Sequence, residues 1–296
     1  MDVSIIFVNY KTKDLTINAI NSVIEKTEGV DYEIFVVDNA SNDGSIEAIE
    51  QEFPNINIIK NPINSGFGSA NNLAIKQAKG KYIFCLNTDT LLVNNAIKIM
   101  FDFMEKIENS KIGACGGYLV DKDLKPIHCG GRLPNVKEII WKLGLRQIFK
   151  KYYNENMYIS LNSDDENLDS KLGYITGADI FFRKSVLDKV GLFDENFFMY
   201  YEETDLCKRI WDSGYTIKFV PTAQIIHLEG ASTKSSIKKL KMIKKSEFYY
   251  FKKHYPNQAG LVKLIYLILY LIDWLILGNK ERKDLISFIL RNCYDK

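Results

Sequence analysis

The sequence has few of the features that mark secreted proteins or proteins stabilised by a structural metal ion. Its 296 residues contain five scattered cysteines, which form no CxxC pair and no zinc-ligand spacing. An odd number of scattered cysteines is typical of a reducing compartment. The apolar run that follows Met1, in DVSIIFVNY, is too short for a signal peptide. We therefore expect a protein that stays in the cytoplasm or faces it.

The chain also lacks a strong net charge. Its formal charge of +2 gives no reason to expect a nucleic-acid partner. Charge is concentrated locally, because residues 234–253 hold eight lysines and one acidic residue, Glu247. The apolar fraction of 46% is enough for a substantial core in one large domain or two smaller ones.

Apolar strand patterns alternate with helical patterns over the first 120 residues, and the alternation returns after residue 173. This order predicts an α/β fold with a mainly parallel sheet and right-handed crossovers. The region between them is irregular, and 161–171 (LNSDDENLDSK) reads as an acidic surface loop. Strands are predicted at 3–8, 33–37, 56–59, 82–86, 112–118 and 180–182, and helices at 15–24, 45–53, 69–78, 94–107, 185–190 and 203–213.

Polar residues follow three of these strands directly. They are Asn9 after the first strand, Asp38 and Asn39 after the second, and Asn87 with Asp89 after the fourth. Ligands of open α/β sheets bind beyond the carboxyl ends of the strands, so these groups are expected at one edge. Asp38, in VVDNASNDGS, could accept hydrogen bonds from a nucleobase or ribose, or could simply cap a turn.

A glycine-containing loop, NPINSGFGSANNLAI at 61–75, precedes a predicted helix. It could let backbone approach a nucleotide, or it could be an ordinary loop before a capped helix. A dinucleotide-binding interpretation is weak, because the loop follows the third strand and Asn71 replaces the third glycine.

Carboxylates appear at two further places that suit metal binding or general-base catalysis. Asp89 in NTD could hold a divalent cation against a leaving diphosphate, or NTD could be a plain Asx turn. Glu202, Glu203 and Asp205 lie where a helix begins, which suits either a general base or the helix dipole. His227, after the apolar run AQII, is either a structural histidine or a further metal ligand.

The run LVKLIYLILYLIDWLIL at 261–277 is marginal for crossing a membrane, since a spanning helix needs about 20 apolar residues. Its polar members recur every three or four residues and therefore share one helix face: Lys263, Tyr266, Tyr270 and Asp273. This pattern and the preceding lysines favour a helix lying in an anionic membrane surface. The alternative is a helix packed on the domain or in a dimer.

Taken in order, these segments resemble family 2 glycosyltransferases, especially the rhamnosyltransferase-like branch. The resemblance runs over residues 4–232. It rests on SIIFVNY, VVDNASNDGS, NSGFGSANN, NTD, GADIFFRKSVLDKVGLFDENFFMYYEETDLCKR and IIHLEGAS.

The resemblance implies a GT-A fold, a nucleotide-sugar donor, a divalent cation (Mn²⁺ or Mg²⁺) and inversion at the anomeric carbon. It implies Glu203 as catalytic base, although the family usually has aspartate there, which leaves Glu202 as an alternative. Asp89 and His227 would hold the metal. The other implied roles are flanking acid for Asp205, donor binding for Asn9, Asp38, Asn39, Asn64, Gly66, Phe67, Asn71, Asn87 and Asp89, and acceptor binding for Gly177, Ala178 and Tyr200.

We therefore expect an inverting transferase that moves a sugar from a dTDP- or UDP-linked donor to a glycan or lipid-linked acceptor. Residues 1–232 would form the GT-A domain, and 233–296 a helical region on the cytoplasmic membrane face, with a homo-oligomer possible. A sugar nucleotidyltransferase is the alternative enzyme, but VNYKTKDL lacks that class's glycine-rich turn. A non-catalytic membrane scaffold is the alternative from another class, and the intact acid cluster argues against it.

Overall fold

The structure is a computed structural model in which residues 1–140, 172–228, 237–277 and 280–292 are described. Its first part alternates strands and helices, as the periodicity predicts. The order is β1 (Val3–Asn9), α1 (Lys13–Lys26), β2 (Tyr32–Asn39), α2 (Ser45–Glu52), β3 (Asn57–Asn61), α3 (Phe67–Ile75), β4 (Tyr82–Leu86), β5 (Thr90–Leu92), α4 (Ala96–Glu105) and β6 (Ile112–Val120).

The remaining elements complete the sheet and add three helices at the end of the chain. They are β7 (Gly130–Gly131), α5 (Val136–Ile140), β8 (Tyr174–Ile175), β9 (Asp179–Arg183), α6 (Lys184–Val190), α7 (Glu202–Asp212), β10 (Thr216–His227), α8 (Ile237–His254), α9 (Pro256–Leu277) and α10 (Lys280–Asn292). The predicted acidic loop at 161–171 lies outside the described residues.

The central sheet has eight strands in the order β3-β2-β1-β4-β9-β6-β10-β5. Strands β1 to β4 are mutually parallel, and β10 is parallel to β6, whereas β9 and β5 run against their neighbours. The strands are apolar because helices cover both faces, as in other α/β sheets. Fully buried Phe7, Phe84 and Phe181 represent the core that results.

Each predicted strand and helix up to residue 213 overlaps an observed one. The sequence patterns did not predict β5, β7 or β8, because strands of two or three residues are too short to show a period. Most of β10 was also missed, since only its last residues, AQIIH, form a clear apolar run.

A second apolar cluster joins α8, α9 and α10 to the sheet domain. Phe248, Tyr250, Phe251, Val262 and Leu285 form it together with Phe197, which belongs to the loop before α7. This second cluster therefore contains residues from both sides of the predicted boundary at 232, and the division into 1–232 and 233–296 stays a prediction.

Two of the four residues on the polar face predicted for the last apolar run do not face water. Tyr266 and Tyr270 are buried in the second cluster, and Asp273 pairs with Arg282 of α10 at 3.1 Å. The exposed side of α9 is apolar instead: Leu261, Leu264, Ile268, Leu271, Ile272 and Leu275. Within the described residues one helix, Pro256–Leu275, is apolar and long enough to cross a membrane.

Candidate active site

Asp38 lies at the carboxyl end of β2, where Asn9 of β1 orients it. The two residues are register partners in adjacent parallel strands. Asn9 Nδ2 donates to Asp38 Oδ1 at 2.8 Å and to Ser41 Oγ at 3.0 Å, and the Asn9 side chain is fully buried. Asn9 thus supports Asp38 from below, and its predicted contact with the donor stays a prediction.

Asp38 lines a cleft of about 430 Å³, which is within the usual range for small-molecule sites. The cleft lies between the loop after β2 and the end of β3. Its lining also includes Asp43, Gly44, Lys60 and Asn61. A ribose or base in the cleft would therefore meet the carboxylates of Asp38 and Asp43 and the ammonium group of Lys60.

Asn39 ties the glycine-containing loop to the end of β2. Its Nδ2 donates to Asn64 Oδ1 at 2.9 Å, and its Oδ1 accepts from Asn61 Nδ2 at 2.9 Å and from the Ser65 amide at 3.1 Å. Asn39 and Asn64 are therefore brought together, and both are engaged in shaping the loop. We call residues 61–67 the donor loop.

Gly66 is the tightest point of the donor loop. Its φ of +88° lies in the left-handed region, and an added Cβ would lie 2.0 Å from the Phe198 carbonyl oxygen. The next amide, of Phe67, donates to that same oxygen at 3.1 Å. The donor loop is therefore bonded to the loop that leads into the acid cluster, and only glycine fits there.

Two asparagines follow on α3, and both face protein. Asn71 is fully buried, its Nδ2 donates to the Phe67 carbonyl at 3.0 Å, and its Oδ1 has no partner among the described residues. Asn72 donates to the Phe193 carbonyl at 2.9 Å and accepts from the Phe193 amide at 3.1 Å. The predicted donor contact of Asn71 stays a prediction, and Asn72 adds a link to the loop before α7.

Asp89 and His227 lie side by side, although 138 positions separate them in the sequence. Strand β5 pairs antiparallel with β10, with Thr90 opposite His227, and the Leu228 amide donates to the Asp89 carbonyl at 2.9 Å. Asp89 Oδ1 is 3.3 Å from His227 Nε2. Asn87 precedes this pair, and its amide donates to the Ala178 carbonyl at 2.9 Å.

The Asp89–His227 pair fits a divalent cation. Two ligands at right angles around an octahedral cation, with bonds of about 2.1 Å, are ~3 Å apart, close to the observed separation. Nδ1 of His227 has no partner among the described residues. The part of the chain that is described contains no group of three or more His, Cys, Asp or Glu side chains around one point, so a cation here would need further ligands from substrate or water.

Two adjacent glutamates begin α7. Glu202 is buried and its Oε2 has no partner among the described residues, whereas Glu203 is partly exposed. Burial, with the negative charge of Glu203, raises the pKa of Glu202 well above its ordinary value. Burial also raises the pKa of Glu203 to about 7. The pair therefore holds its protons unusually tightly, as a general base near neutral pH requires.

Asp205 differs from these two glutamates, because its carboxylate is held by cations. Its Oδ2 accepts from Arg209 Nε at 2.9 Å, while Lys253 Nζ and His254 Nε2 of α8 each lie 2.7 Å from its Oδ1. Burial alone would raise the pKa of Asp205, but the His254 hydrogen bond and the nearby cations lower it. This geometry favours a bridging role between α7 and α8 over contact with substrate.

The predicted acceptor residues lie around the donor loop and the start of α7. Gly177 faces the Phe67 ring, with an added Cβ 3.5 Å from Phe67 Cε1. Ala178 is buried and precedes β9. Tyr200 is partly exposed, and Lys239 Nζ lies 5.9 Å from the centre of its ring.

Comparison with known proteins identifies the chain at family level. The sequence model of "Glycosyl transferase family 2" matches residues 4–191, more than half of the chain. The chain belongs to glycosyl transferase family 2. The predicted resemblance is confirmed. The match ends before Glu202, so the roles of the acid cluster and of His227 remain proposals.

Curated relatives of this family 2 glycosyltransferase include two rhamnosyltransferases. The chain is 25% identical over 215 residues to N-acetylglucosaminyl-diphospho-decaprenol L-rhamnosyltransferase from Mycobacterium tuberculosis (strain CDC 1551 / Oshkosh), which covers 68% of this chain and 67% of that protein. It is 26% identical over 207 residues to Rhamnosyltransferase WbbL from Escherichia coli (strain K12), which covers 66% and 72%.

Solved structures bear out the GT-A fold. Mannosyltransferase PcManGT from Pyrobaculum calidifontis, in complex with GDP-Man and Mn²⁺, superposes with a TM-score of 0.60 at 14% identity, covering 97% of this chain and 84% of that one. S. aureus TarS 1-349, in complex with UDP, gives 0.54 at 15% identity, covering 94% and 74%. The predicted α/β fold class is confirmed.

Proposed function

We propose that this family 2 enzyme is an inverting, metal-dependent transferase acting on a dTDP- or UDP-linked sugar. Its acceptor is a hydroxyl of a glycan or lipid-linked sugar in cell-surface polysaccharide assembly. The observation that carries this proposal is the hydrogen bond between the donor loop and the loop that leads into α7. Because the Phe67 amide donates to the Phe198 carbonyl at 3.1 Å, the loop that would hold the donor lies against the turn that presents Glu203.

The reaction would be a single displacement. Glu203 takes the proton of an acceptor hydroxyl as the oxygen forms a bond to the anomeric carbon from the face opposite the nucleotide. The bond from that carbon to the diphosphate breaks, and the nucleoside diphosphate leaves with the bonding electrons. The partial exposure of Glu203 and the burial of Glu202 favour Glu203 as the base, and burial of the Glu203 carboxyl keeps its proton affinity high.

The donor's ends would be held at separate places along the sheet edge. Asp38 in the cleft would bind the base or ribose, while Asn64 and the donor loop would lie along the sugar-diphosphate. A divalent cation held by Asp89 and His227 would supply positive charge against the diphosphate. The Mn²⁺ in the complex of the PcManGT mannosyltransferase supports this proposal.

An anionic, lipid-linked acceptor is supported by the charge beside Tyr200. The Lys239 ammonium lies 5.9 Å from the ring centre, so it could meet a phosphate while the ring contacts a sugar. The name of the mycobacterial relative describes a diphospho-decaprenol acceptor for that enzyme. The exposed apolar face of α9 and the exposed lysines of α8 further suggest docking on the anionic cytoplasmic face of a membrane.

Nucleotide binding tests the proposal directly. Titration calorimetry with UDP, dTDP, GDP and CDP, each with manganese and again with EDTA, should give metal-dependent binding of UDP or dTDP. Asp89→Ala should abolish the manganese dependence and leave weak binding to the cleft. Asp188→Ala, which changes an exposed aspartate on α6, is the matched control and should bind as wild type does.

Binding of none of the nucleotides would overturn the donor assignment. Equal affinity with manganese and with EDTA would overturn the metal assignment, as would an Asp89→Ala variant whose manganese dependence is intact.

A further inference from the structure

Two consecutive tyrosines before Glu202 and Glu203 have a backbone conformation that residues other than glycine rarely adopt. Tyr200 has a φ of +69° and Tyr201 a φ of +70°, and Tyr201 is the residue that caps α7. A left-handed non-glycine residue costs roughly 1–2 kcal/mol, so such a turn persists only where its surroundings hold it. The turn sets the direction of α7 and therefore the position of Glu203.

The turn is held from two sides. On one side the Phe67 amide of the donor loop bonds the Phe198 carbonyl. On the other side α8 supplies the contacts. Ser246 Oγ donates to the Met199 carbonyl at 2.8 Å, and the Tyr201 ring lies on Tyr250 with centroids 5.6 Å apart.

Glu247 of α8 lies close to the same turn, since burial and the nearby Glu247 carboxylate together raise the pKa of Tyr201 well above its ordinary value. Glu247 is itself buried and fixed. Its Oε1 accepts from Tyr266 of α9 at 2.9 Å, and its Oε2 pairs with Lys244. A carboxylate held in this way keeps a fixed place beside Tyr201.

Resting on the proposed function, in which Glu203 is the base, we propose that Ser246 and Glu247 are positioning residues for Glu203. They act through the backbone of the Tyr200–Tyr201 turn, which they stabilise in its left-handed form. The helix α8, which lies outside the residues matched by the family, is then part of the catalytic unit.

Small substitutions at this contact test the proposal. Ser246→Ala removes the hydrogen bond to the Met199 carbonyl. Tyr201→Phe removes the hydroxyl beside Glu247 but keeps the ring. We expect kcat to fall about tenfold in each, because losing one such bond lets the turn leave its strained form. The donor KM and the nucleotide Kd should stay within about twofold of wild type, since the cleft around Asp38 is untouched.

Tyr249→Phe is the matched control, since Tyr249 is also on α8 and its hydroxyl donates to a carboxylate of the sheet domain, Asp194, at 3.0 Å. It should lower the melting temperature by a similar amount and leave kcat at the wild-type value. If Tyr249→Phe lowers kcat as much as the test variants do, the contacts are merely structural and the proposal is overturned.

Glu203→Gln, measured beside these variants, tests the proposed base separately from the proposed positioning role. Turnover retained in Glu203→Gln removes the base on which the inference rests. An inactive Glu203→Gln together with wild-type kcat in Ser246→Ala and Tyr201→Phe refutes the positioning role alone.

Discussion

At the scale of single residues, the adjacent glutamates of α7 are alike in their raised pKa values and differ in exposure. Both carboxyl groups hold protons more tightly than an ordinary glutamate, because burial disfavours their charged forms. Of the two, only Glu203 is partly exposed, which supports the proposal that Glu203 is the one that meets an acceptor hydroxyl. Asp205, two residues after Glu203, has a lowered pKa because its hydrogen bond to His254 and its cationic partners outweigh its burial. Its carboxylate is therefore a poor proton acceptor near neutral pH.

Glu203→Gln should therefore reduce kcat by about a factor of 10² or more, the usual contribution of a positioned general base. Nucleotide affinity measured by calorimetry should stay close to wild type, because glutamine is isosteric with glutamate and position 203 does not line the cleft. In the wild-type enzyme kcat should rise with pH through about 7, where the raised pKa of Glu203 lies, since the base works only when deprotonated.

Glu202→Gln is the companion variant, because it removes the other carboxylate of the pair. If Glu202→Gln is inactive while Glu203→Gln still turns over, the two roles are exchanged and Glu202 is the base.

At the scale of elements, the donor loop and the turn before α7 depend on one glycine. Gly66 combines a φ of +88° with a carbonyl oxygen 2.0 Å from where a Cβ would lie. Gly214, at the end of α7, has a φ of +83° and nothing within 4 Å of its added Cβ. Both positions have a positive φ, but only Gly66 also has a backbone oxygen in the place of a Cβ, and its ψ of 173° lies in a region that is essentially restricted to glycine.

Gly66→Ala should therefore lower both the melting temperature and kcat/KM for the donor, because the donor loop must move away from Phe198. Gly214→Ala should lose only the backbone term, ~1–2 kcal/mol of stability, with kcat/KM unchanged. Thermal unfolding and initial rates for the two variants make the comparison. Equal losses in both would mean that the close approach at Phe198 has no part in function.

At the scale of the whole molecule, helix α9 exposes an apolar face and turns Tyr266 and Tyr270 toward the protein. The lysine-rich stretch is less uniform than its composition indicates. Lys244 is buried against Glu247, and Lys253 is engaged by Asp194 and Asp205. Lys238 and Lys245 are exposed and can meet anionic lipid.

Leu264→Glu combined with Leu271→Glu should reduce sedimentation with anionic liposomes more than tenfold, since each apolar side chain that enters the interface contributes about 1.5 kcal/mol or more. The matched control changes Ile107 and Leu124, which are 89% and 57% exposed, to glutamate, and should sediment as wild type does. Equal sedimentation of all three proteins would contradict docking through α9 and would leave its apolar face to a second copy of the chain.

The sequence by itself determined the α/β class, the order of the main strands and helices, and the family. Local periodicity reports which segments are apolar on which face, and motifs such as VVDNASNDGS and NTD follow their strands directly. It also placed Asn9 and Asp38 at the same edge of the sheet, because the carboxyl ends of parallel strands meet there.

The tertiary structure decided how distant groups meet and which faces are covered. The family resemblance implied that Asp89 and His227 share a metal, but the pairing of β5 with β10 that brings them together is not specified by any local pattern. The capture of Asp205 by Lys253 and His254, and the turn of the α9 tyrosines toward the protein, likewise depend on packing between remote elements. A polar stripe on a helix shows that two faces differ, but the neighbouring helices decide which of them meets solvent.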